Sequence, residues 1–330
     1  MAATAEATAM AYNGSQPIGA PDLAGRPITL IDMPKQLNLN YFASIRRGEQ
    51  DAAAELGNVT VINDGPNEAD SGAQINLISD YISRGVNGVL FSAIDPSAIA
   101  PVLHRGFNTG IHVVGYNTDS TPDAREWFVR QTSFNGMGKA LMDNMERSIG
   151  SSGAFAIITS TLTTATTARY IAEMQAYQEK CFPEMKWLET VEGQADRDLP
   201  KQLTFALISK YGDQLQGLFG LTAIATPAEA EAVLTSGRCG FVTVVGLAMP
   251  VMINPYVAAG CMKSAVLWNP VDLGYAAVYV MRAVVDGTLK PGATSVQAGR
   301  LGTLQIANGS DILLGAPFIF TQDNINNFDF

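Results

Sequence analysis

Histidine is almost missing from this chain: His104 and His112 are the only two in 330 residues. A zinc site or a His-dependent hydrolase has almost nothing to work with. Cysteine is nearly as scarce, at Cys181, Cys239 and Cys261, and the spacings match no zinc motif. Three small buried side chains is the expected state of these residues; one disulfide with one thiol left over is the open alternative. Basic charge is also short. Lys and Arg number 21 against 31 Asp and Glu, a net charge of −10. A phosphate backbone would be repelled, so nucleic acid is not an expected partner. No basic run is longer than Arg46-Arg47, and no apolar run reaches membrane-spanning length. No G-x-G-x-x-G follows a strand and no Walker-type phosphate loop is present. Gly136-Met137-Gly138-Lys139 is glycine-rich and reads as close backbone approach between lobes. Ser92 and Ser160 have no histidine nearby in sequence, and Asp95, Asp119 and Asp272 have no evident base. No catalytic residue, metal or cofactor is expected, and the chain does not read as an enzyme.

What the chain has is apolar residues, 47% against 16% charged, enough for large cores. Its 330 residues suit two domains of ordinary size. Two stretches are nearly the same sentence. Residues 87–115 read NGVLFSAIDPSAIAPVLHRGFNTGIHVVG, and residues 216–246 read QGLFGLTAIATPAEAEAVLTSGRCGFVTVVG. Each has a short apolar run, a turn with a proline, an Ala-rich helical stretch and a run ending Val-Val-Gly. Two β-α-β copies predict two similar α/β lobes.

The order of elements agrees. Strands are predicted at Ile28–Met33, Val59–Asp64, Gly153–Ile158, Trp187–Val191, Ala265–Trp268 and Ala316–Phe320. Helices are predicted at Ala43–Leu56, Asn67–Gly85, Thr167–Phe182, Leu199–Tyr211 and Asn269–Asp286, with Pro34–Phe42 and Thr159–Thr166 as loops. This alternation predicts mainly parallel, Rossmann-like sheets covered on both sides. The first 26 residues, rich in Ala, Thr, Gly and Pro, lack the apolar stretch of a signal peptide and read as a flexible tether.

Ligands of open parallel sheets collect beyond the carboxyl ends of strands. Those ends here carry amides, hydroxyls, aromatic rings and a thioether, and few charges. Amides and hydroxyls both donate and accept, which matches sugar hydroxyls; aromatic faces cover a sugar's C–H surface. The candidates are Lys35, Asn40, Tyr41 and Phe42 after the first strand, Asn117 and Asp119 after the first Val-Val-Gly, and Gln131. In the second lobe they are Thr166, Thr167, Ala223, Met249 and Trp268, and Asn269 follows Trp268 at the lobe boundary. Thr163, Thr164, Thr166 and Thr167 also suit a helix cap.

Taken together, five segments resemble the type I periplasmic solute-binding proteins of ABC transporters. They are PKQLNLNYF at 34–42, DGPNEADSGAQINLISDYISRGVNGVLFSAIDP at 64–96, VVGYNTDSTPD at 113–123, VVGLAMPVMINPYVAAGCMKSAVLWNPVDLG at 244–274 and FTQDNINNFDF at 320–330. Within that group the likeness is to the autoinducer-2-binding and rhamnose-binding branch. In autoinducer-2 receptors a lysine follows the first-strand proline, and Lys35 matches it. Their aspartate falls on Asn117, their Asp-Gln pair on Thr166-Thr167, and their backbone-contacting Pro and Ala on Leu221 and Ala223. Two carboxylates of that site are therefore replaced. The ribose-type arginine falls near Ala168 or Arg169, its aspartate on Ala248 and its glutamine on Trp268. The departures imply a less charged pocket.

The resemblance implies two lobes, 27–131 plus 269–308 and 132–268 plus 309–330, joined by three hinge crossings near Gln131, Trp268 and Asn308. It implies a monomeric extracytoplasmic protein, in the periplasm or lipid-anchored at the cell surface, with its export signal cut away. It would close on a neutral monosaccharide or sugar alcohol and deliver it to an ABC transporter permease. The alternatives are an autoinducer-2-type receptor or a sugar-responsive sensor of the same fold. A repressor would need about 50–60 residues of helix-turn-helix in front, which the tether does not supply.

Overall fold

The computed structural model describes residues 11–162, 165–194 and 198–330. The chain opens with β1 (Ile28–Met33), α1 (Asn40–Leu56), β2 (Val59–Asn63), α2 (Ser71–Ser83), β3 (Gly88–Phe91), α3 (Pro96–Asn108), β4 (His112–Tyr116) and β5 (Trp127–Arg130). It continues with α4 (Phe134–Ile149), β6 (Ala154–Thr159), α5 (Ala165–Cys181), β7 (Lys186–Glu192), α6 (Asp198–Tyr211), β8 (Gly217–Gly220), α7 (Ala225–Thr235), β9 (Thr243–Gly246), α8 (Pro250–Ala258) and β10 (Met262–Leu267). It ends with α9 (Pro270–Val285), β11 (Ser295–Gln297), β12 (Thr303–Ala307), β13 (Asp311–Leu313) and β14 (Phe318–Thr321).

These elements form two compact units. The first takes the chain up to Gln131 together with Asn269–Gly315, and the second takes Thr132–Trp268 with Ala316–Phe330. The third division lies after Gly315, not after Asn308, because β13 pairs in parallel with β5 and keeps residues 309–315 in the first unit. The first sheet runs β11-β12-β13-β5-β4-β3-β1-β2 and the second β14-β10-β9-β8-β6-β7. Both contain the same five-strand parallel order, β2-β1-β3-β4-β5 and β7-β6-β8-β9-β10, with its reversal beside the first strand. The two repeat copies are β3-α3-β4 and β8-α7-β9, at equivalent places in the two sheets. The sheets are mixed, since β11, β12 and β13 pair antiparallel in series and β14 pairs antiparallel with β10.

Alternation along the strands builds the layers. In β6, Phe155 and Ile157 pack with Met137, Leu141 and Met145 of α4, whereas Ala156 and Ile158 pack with Leu207 of α6 and Val233 of α7. In β1, Ile31 and Met33 join α2 and α3 in one cluster, which leaves Leu30 and Asp32 on the opposite face. There α1 and α9 pack closely at two glycines. A Cβ on Gly48 would meet the Val271 carbonyl, and one on Gly274 the Ile45 carbonyl.

Side-chain caps set four of the helix starts. Asp70, Asp95, Ser133 and Asn269 each accept from a backbone N–H in the first turn. Gly57, at φ 71°, closes α1 in the left-handed conformation. The helix predicted over Asn67–Gly85 therefore starts only after Asp70. The loop predicted over Pro34–Phe42 is shorter, because Asn40, Tyr41 and Phe42 already form the first turn of α1.

Three expectations need correction. The stretch predicted as a flexible tether is docked from residue 11 onward; residues 1–10 lie outside the described residues. Tyr12 donates to the Glu126 carbonyl at 2.8 Å, and its ring leans on Trp127 with centroids 5.0 Å apart. Ser15 N donates to Arg125 O at 2.9 Å, Ile18 N donates to Phe107 O at 2.8 Å, and Arg282 donates to the carbonyls of Leu23 and Arg26 at 2.9 Å. A segment of small residues is held by its backbone polar groups and one aromatic ring. Second, Cys239 and Cys261 form a disulfide, and Cys181 is an exposed free thiol rather than a buried one. Third, a Cβ on Gly138 would meet Glu173 of α5 at 2.8 Å, so the close approach there is a helix contact within the second unit and not an approach between lobes.

Glu229 is wholly buried in α7, and neither carboxylate oxygen has a hydrogen-bond partner among the described residues. Burial holds its pKa well above the ordinary glutamate value. A raised folded-state pKa means stability present at acid pH and lost as pH rises from the unfolded value toward the folded one. Glu229→Met, near-isosteric and apolar, is expected to unfold at a higher temperature than wild type at pH 7. The gap should widen with pH by up to roughly 1 kcal/mol per unit. A pH-independent difference between the two melting curves would contradict a buried, uncharged Glu229.

Candidate functional site

In the first unit the reversal of strand order places the loops after β1 and β3 side by side. Gln74 of α2, fully buried, fastens them: its Nε2 donates to Pro34 O at 3.0 Å and Ser92 O at 2.9 Å, and its Oε1 accepts from Ile94 N at 3.1 Å. Gln74 was not among the sequence candidates. Its signal is a polar residue in register with Ile78 and Ile82 on the buried stripe of α2.

Four sequence candidates meet at this edge. Lys35, half-buried in the loop after β1, has no hydrogen-bond or ion-pair partner among the described residues, and burial lowers its pKa. Asn117 follows β4 with φ at 60°, a left-handed conformation that asparagine tolerates better than most residues. Its Oδ1 accepts from Tyr41 OH at 2.9 Å and from Gln131 Nε2 at 2.8 Å, and its Nδ2 donates to Ser92 Oγ at 3.0 Å. Gln131 Nε2 also donates to the Asn117 carbonyl at 2.9 Å. One amide thus positions a phenol, a second amide and a serine hydroxyl.

Three further first-unit candidates stand apart. Asn40 is exposed, and its carbonyl accepts from Ser44 Oγ at 3.0 Å. Phe42 is buried and meets Tyr41 edge-on, ring centroids 5.3 Å apart. Asp119 is engaged by Arg125, whose Nη2 donates to its Oδ2 at 2.8 Å and whose Nε donates to its Oδ1 at 3.0 Å. Burial still holds the Asp119 carboxyl above its ordinary value. Asn269 belongs to the first unit, where its Oδ1 accepts from Val271 N at 3.0 Å as the cap of α9.

The second unit repeats the reversal between β6 and β8. Thr166 is exposed and Thr167 buried in the first turn of α5; Thr163 and Thr164 lie outside the described residues. Ala223 is half-buried in the turn before α7. Beside it Thr222 Oγ1 accepts from Ala225 N at 2.9 Å, and Thr226 Oγ1 donates to Gly220 O at 2.8 Å. Met249 is half-buried at the start of α8, and Trp268 is half-buried after β10, packed against both apolar clusters of this unit.

Chemically, the first-unit edge is a set of amides and hydroxyls with one lysine, suited to hydrogen bonding a neutral polar molecule. Among the described residues no group of three or more His, Cys, Asp or Glu is placed to hold a metal, and no helix is long and apolar enough to cross a membrane.

Comparison with known proteins agrees with this architecture. The chain is 24% identical over 258 residues to the D-allose-binding periplasmic protein of Escherichia coli K12, covering 75% of this chain and 81% of that one. It is similar to the crystal structure of a sugar ABC transporter protein from Actinomyces odontolyticus, at TM-score 0.86 and 29% identity, covering 94% of this chain and all of that one. It is also similar to an ABC transporter solute-binding protein from Clostridium phytofermentas with bound L-rhamnose, at TM-score 0.74 and 25% identity, covering 91% and 98%. Residues 33–289 match the profile of the periplasmic binding protein domain. The chain therefore belongs to the periplasmic binding protein family, a family of binders rather than enzymes.

Proposed function

We propose that this protein is the extracytoplasmic receptor of an ABC transporter, capturing a neutral monosaccharide or sugar alcohol and handing it to a membrane permease. The observation that carries the reading is the Tyr41–Asn117–Gln131–Ser92 cluster at the switch-point edge of the first sheet, with Lys35 in the loop after β1. Such sites in open α/β sheets are where ligands bind. The cluster offers both donors and acceptors, and its one charged group is a lysine with a lowered pKa. Names of relatives point to the same ligand class: D-allose for one, L-rhamnose for another. The Cys239–Cys261 disulfide fits an oxidising compartment outside the cytoplasm.

A thermal-shift screen against pentoses, hexoses, deoxyhexoses and C4–C6 sugar alcohols tests the reading. A true ligand at 100 times its Kd should add roughly 2.7 kcal/mol to stability. The same ligand is expected to change the tryptophan emission, and Trp268→Phe to remove most of that change. A panel without a single shift overturns the sugar reading.

A further inference from the structure

Two fully buried carboxylates lie on the α1- and α9-covered face of the first sheet, and the site described above does not use them. Asp32 projects from β1 and Glu49 from α1. Asn63 Nδ2 bridges them, donating to Glu49 Oε2 at 2.6 Å and to Asp32 Oδ2 at 3.3 Å. Tyr116 OH, itself fully buried at the end of β4, donates to Asp32 Oδ1 at 2.7 Å. Among the described residues no donor reaches Glu49 Oε1, and the two carboxyls themselves lie within hydrogen-bond reach of each other. Tyr116 immediately precedes Asn117, the hub of the proposed sugar site.

The surroundings offer little to offset two negative charges. Arg46 and Tyr41 of α1, Asn63 of β2 and Tyr116 of β4 are the groups that face the pair. From α9, Asp272 is paired with Arg300, Tyr275 with Glu55, Tyr279 is tied to Tyr275 and Glu55, and Arg282 to Asp286. Two like charges this close and this dry do not both ionise; the pair holds one proton. Burial, and then the Asp32 charge, hold the Glu49 carboxyl far above its ordinary value, so the proton resides there. Burial pushes Asp32 up to about 6.

We propose that Asp32, Glu49 and Tyr116 are positioning residues that set the Asn117 hub and make sugar affinity depend on pH. With Asp32 ionised, the Tyr116 hydroxyl makes a charge-assisted bond, roughly twice as strong as a neutral one. That bond fixes the end of β4 and with it the backbone of Asn117. When Asp32 gains a proton the bond becomes neutral and the hub loosens. The inference rests on the reading that Asn117 faces the sugar; the relay from Asp32 to Asn117 is tested without any sugar.

Hydrogen exchange of the Asn117 and Thr118 amides in the sugar-free protein, corrected for intrinsic rates, reads the relay. Protection is expected to fall by roughly threefold to tenfold as pH drops through 6, the difference between a charged and a neutral hydrogen bond. Asp32→Asn is expected to flatten that profile. Tyr116→Phe, which leaves the carboxylates in place and deletes only the hydroxyl, is expected to flatten it as well. A flat wild-type profile, or a step that survives in Tyr116→Phe, overturns the proposal. Calorimetric titration with D-allose and with L-rhamnose over the same range reads the coupling. A Kd that rises below pH 6 in wild type, and not in Tyr116→Phe, supports it. A sugar that binds with pH-independent Kd overturns it. A step in exchange with no binding of either sugar supports the relay and counts against the sugar reading instead.

Discussion

Arg125→Met is expected to cost about 3–5 kcal/mol of folding stability, the range for removing one partner of a buried ion pair. Arg125 is 1% exposed, and its guanidinium serves three residues at once. It grips Asp119 through two nitrogens, donates Nη2 to Asp311 Oδ1 at 3.2 Å, and donates Nη1 to Ser310 Oγ, which in turn donates to Asn13 Oδ1. Asp311 also accepts from Arg130 at 2.7 Å and from Asn308 at 3.2 Å. Removing the guanidinium takes from Asp119 both nitrogens that engage it and leaves it the Ser120 amide, at 2.9 Å. Arg125→Lys is expected to rescue little, since a single ammonium does not reproduce the fork. The measurement is chemical denaturation of Arg125→Met and Asp119→Asn beside wild type. The second variant separates two roles for Asp119. If it is a partner of Arg125, Asp119→Asn loses stability and keeps sugar affinity; the reverse outcome makes it a ligand group.

That distinction shows where sequence reading ends. Asp119 lies just past β4, where ligand groups collect, and nothing in its neighbourhood says that Arg125 folds back on it. The repeat at 87–115 and 216–246 exposed both β-α-β units, because long apolar runs and Ala-rich helices carry strong periodicity. β11, β12 and β13 were invisible for the opposite reason: strands of only three to five residues carry almost no pattern. The docked segment from residue 11 escaped too. Its composition is that of a linker, and its partners, such as Glu126 and Trp127 for Tyr12 and Arg282 for Leu23 and Arg26, lie far away in sequence. At the candidate site, Lys35, Tyr41, Asn117 and Gln131 were legible as groups at strand ends. Their hydrogen bonding through one amide was not, since it depends on the left-handed backbone at Asn117.

The disulfide is the second large expectation. Cys239 lies just ahead of β9 and Cys261 just ahead of β10, and these strands are parallel neighbours. Parallel pairing brings the two strand starts together, so residues 22 apart in sequence become adjacent. The closed loop contains β9 and α8, and through them Met249 and the end of the second repeat copy. Closing a loop of this length removes about 3 kcal/mol of chain entropy from the unfolded state. Cys239→Ala with Cys261→Ala, or reduction of the wild type, is expected to lower the melting temperature of the second unit by roughly 6–12 °C. The transition of the first unit should stay where it is, since its hydrogen-bonded strands include neither cysteine. Thiol titration under denaturing conditions fixes the starting state: one reactive thiol, Cys181, before reduction and three after. Three thiols before reduction, or a melting curve indifferent to reductant, would remove the cross-link and with it one support for an extracytoplasmic location. The loss should also reach the site. β9 and β10 lead into Met249 and Trp268, so a protein lacking the cross-link is expected to show broader tryptophan emission and faster hydrogen exchange in both segments well below its melting temperature.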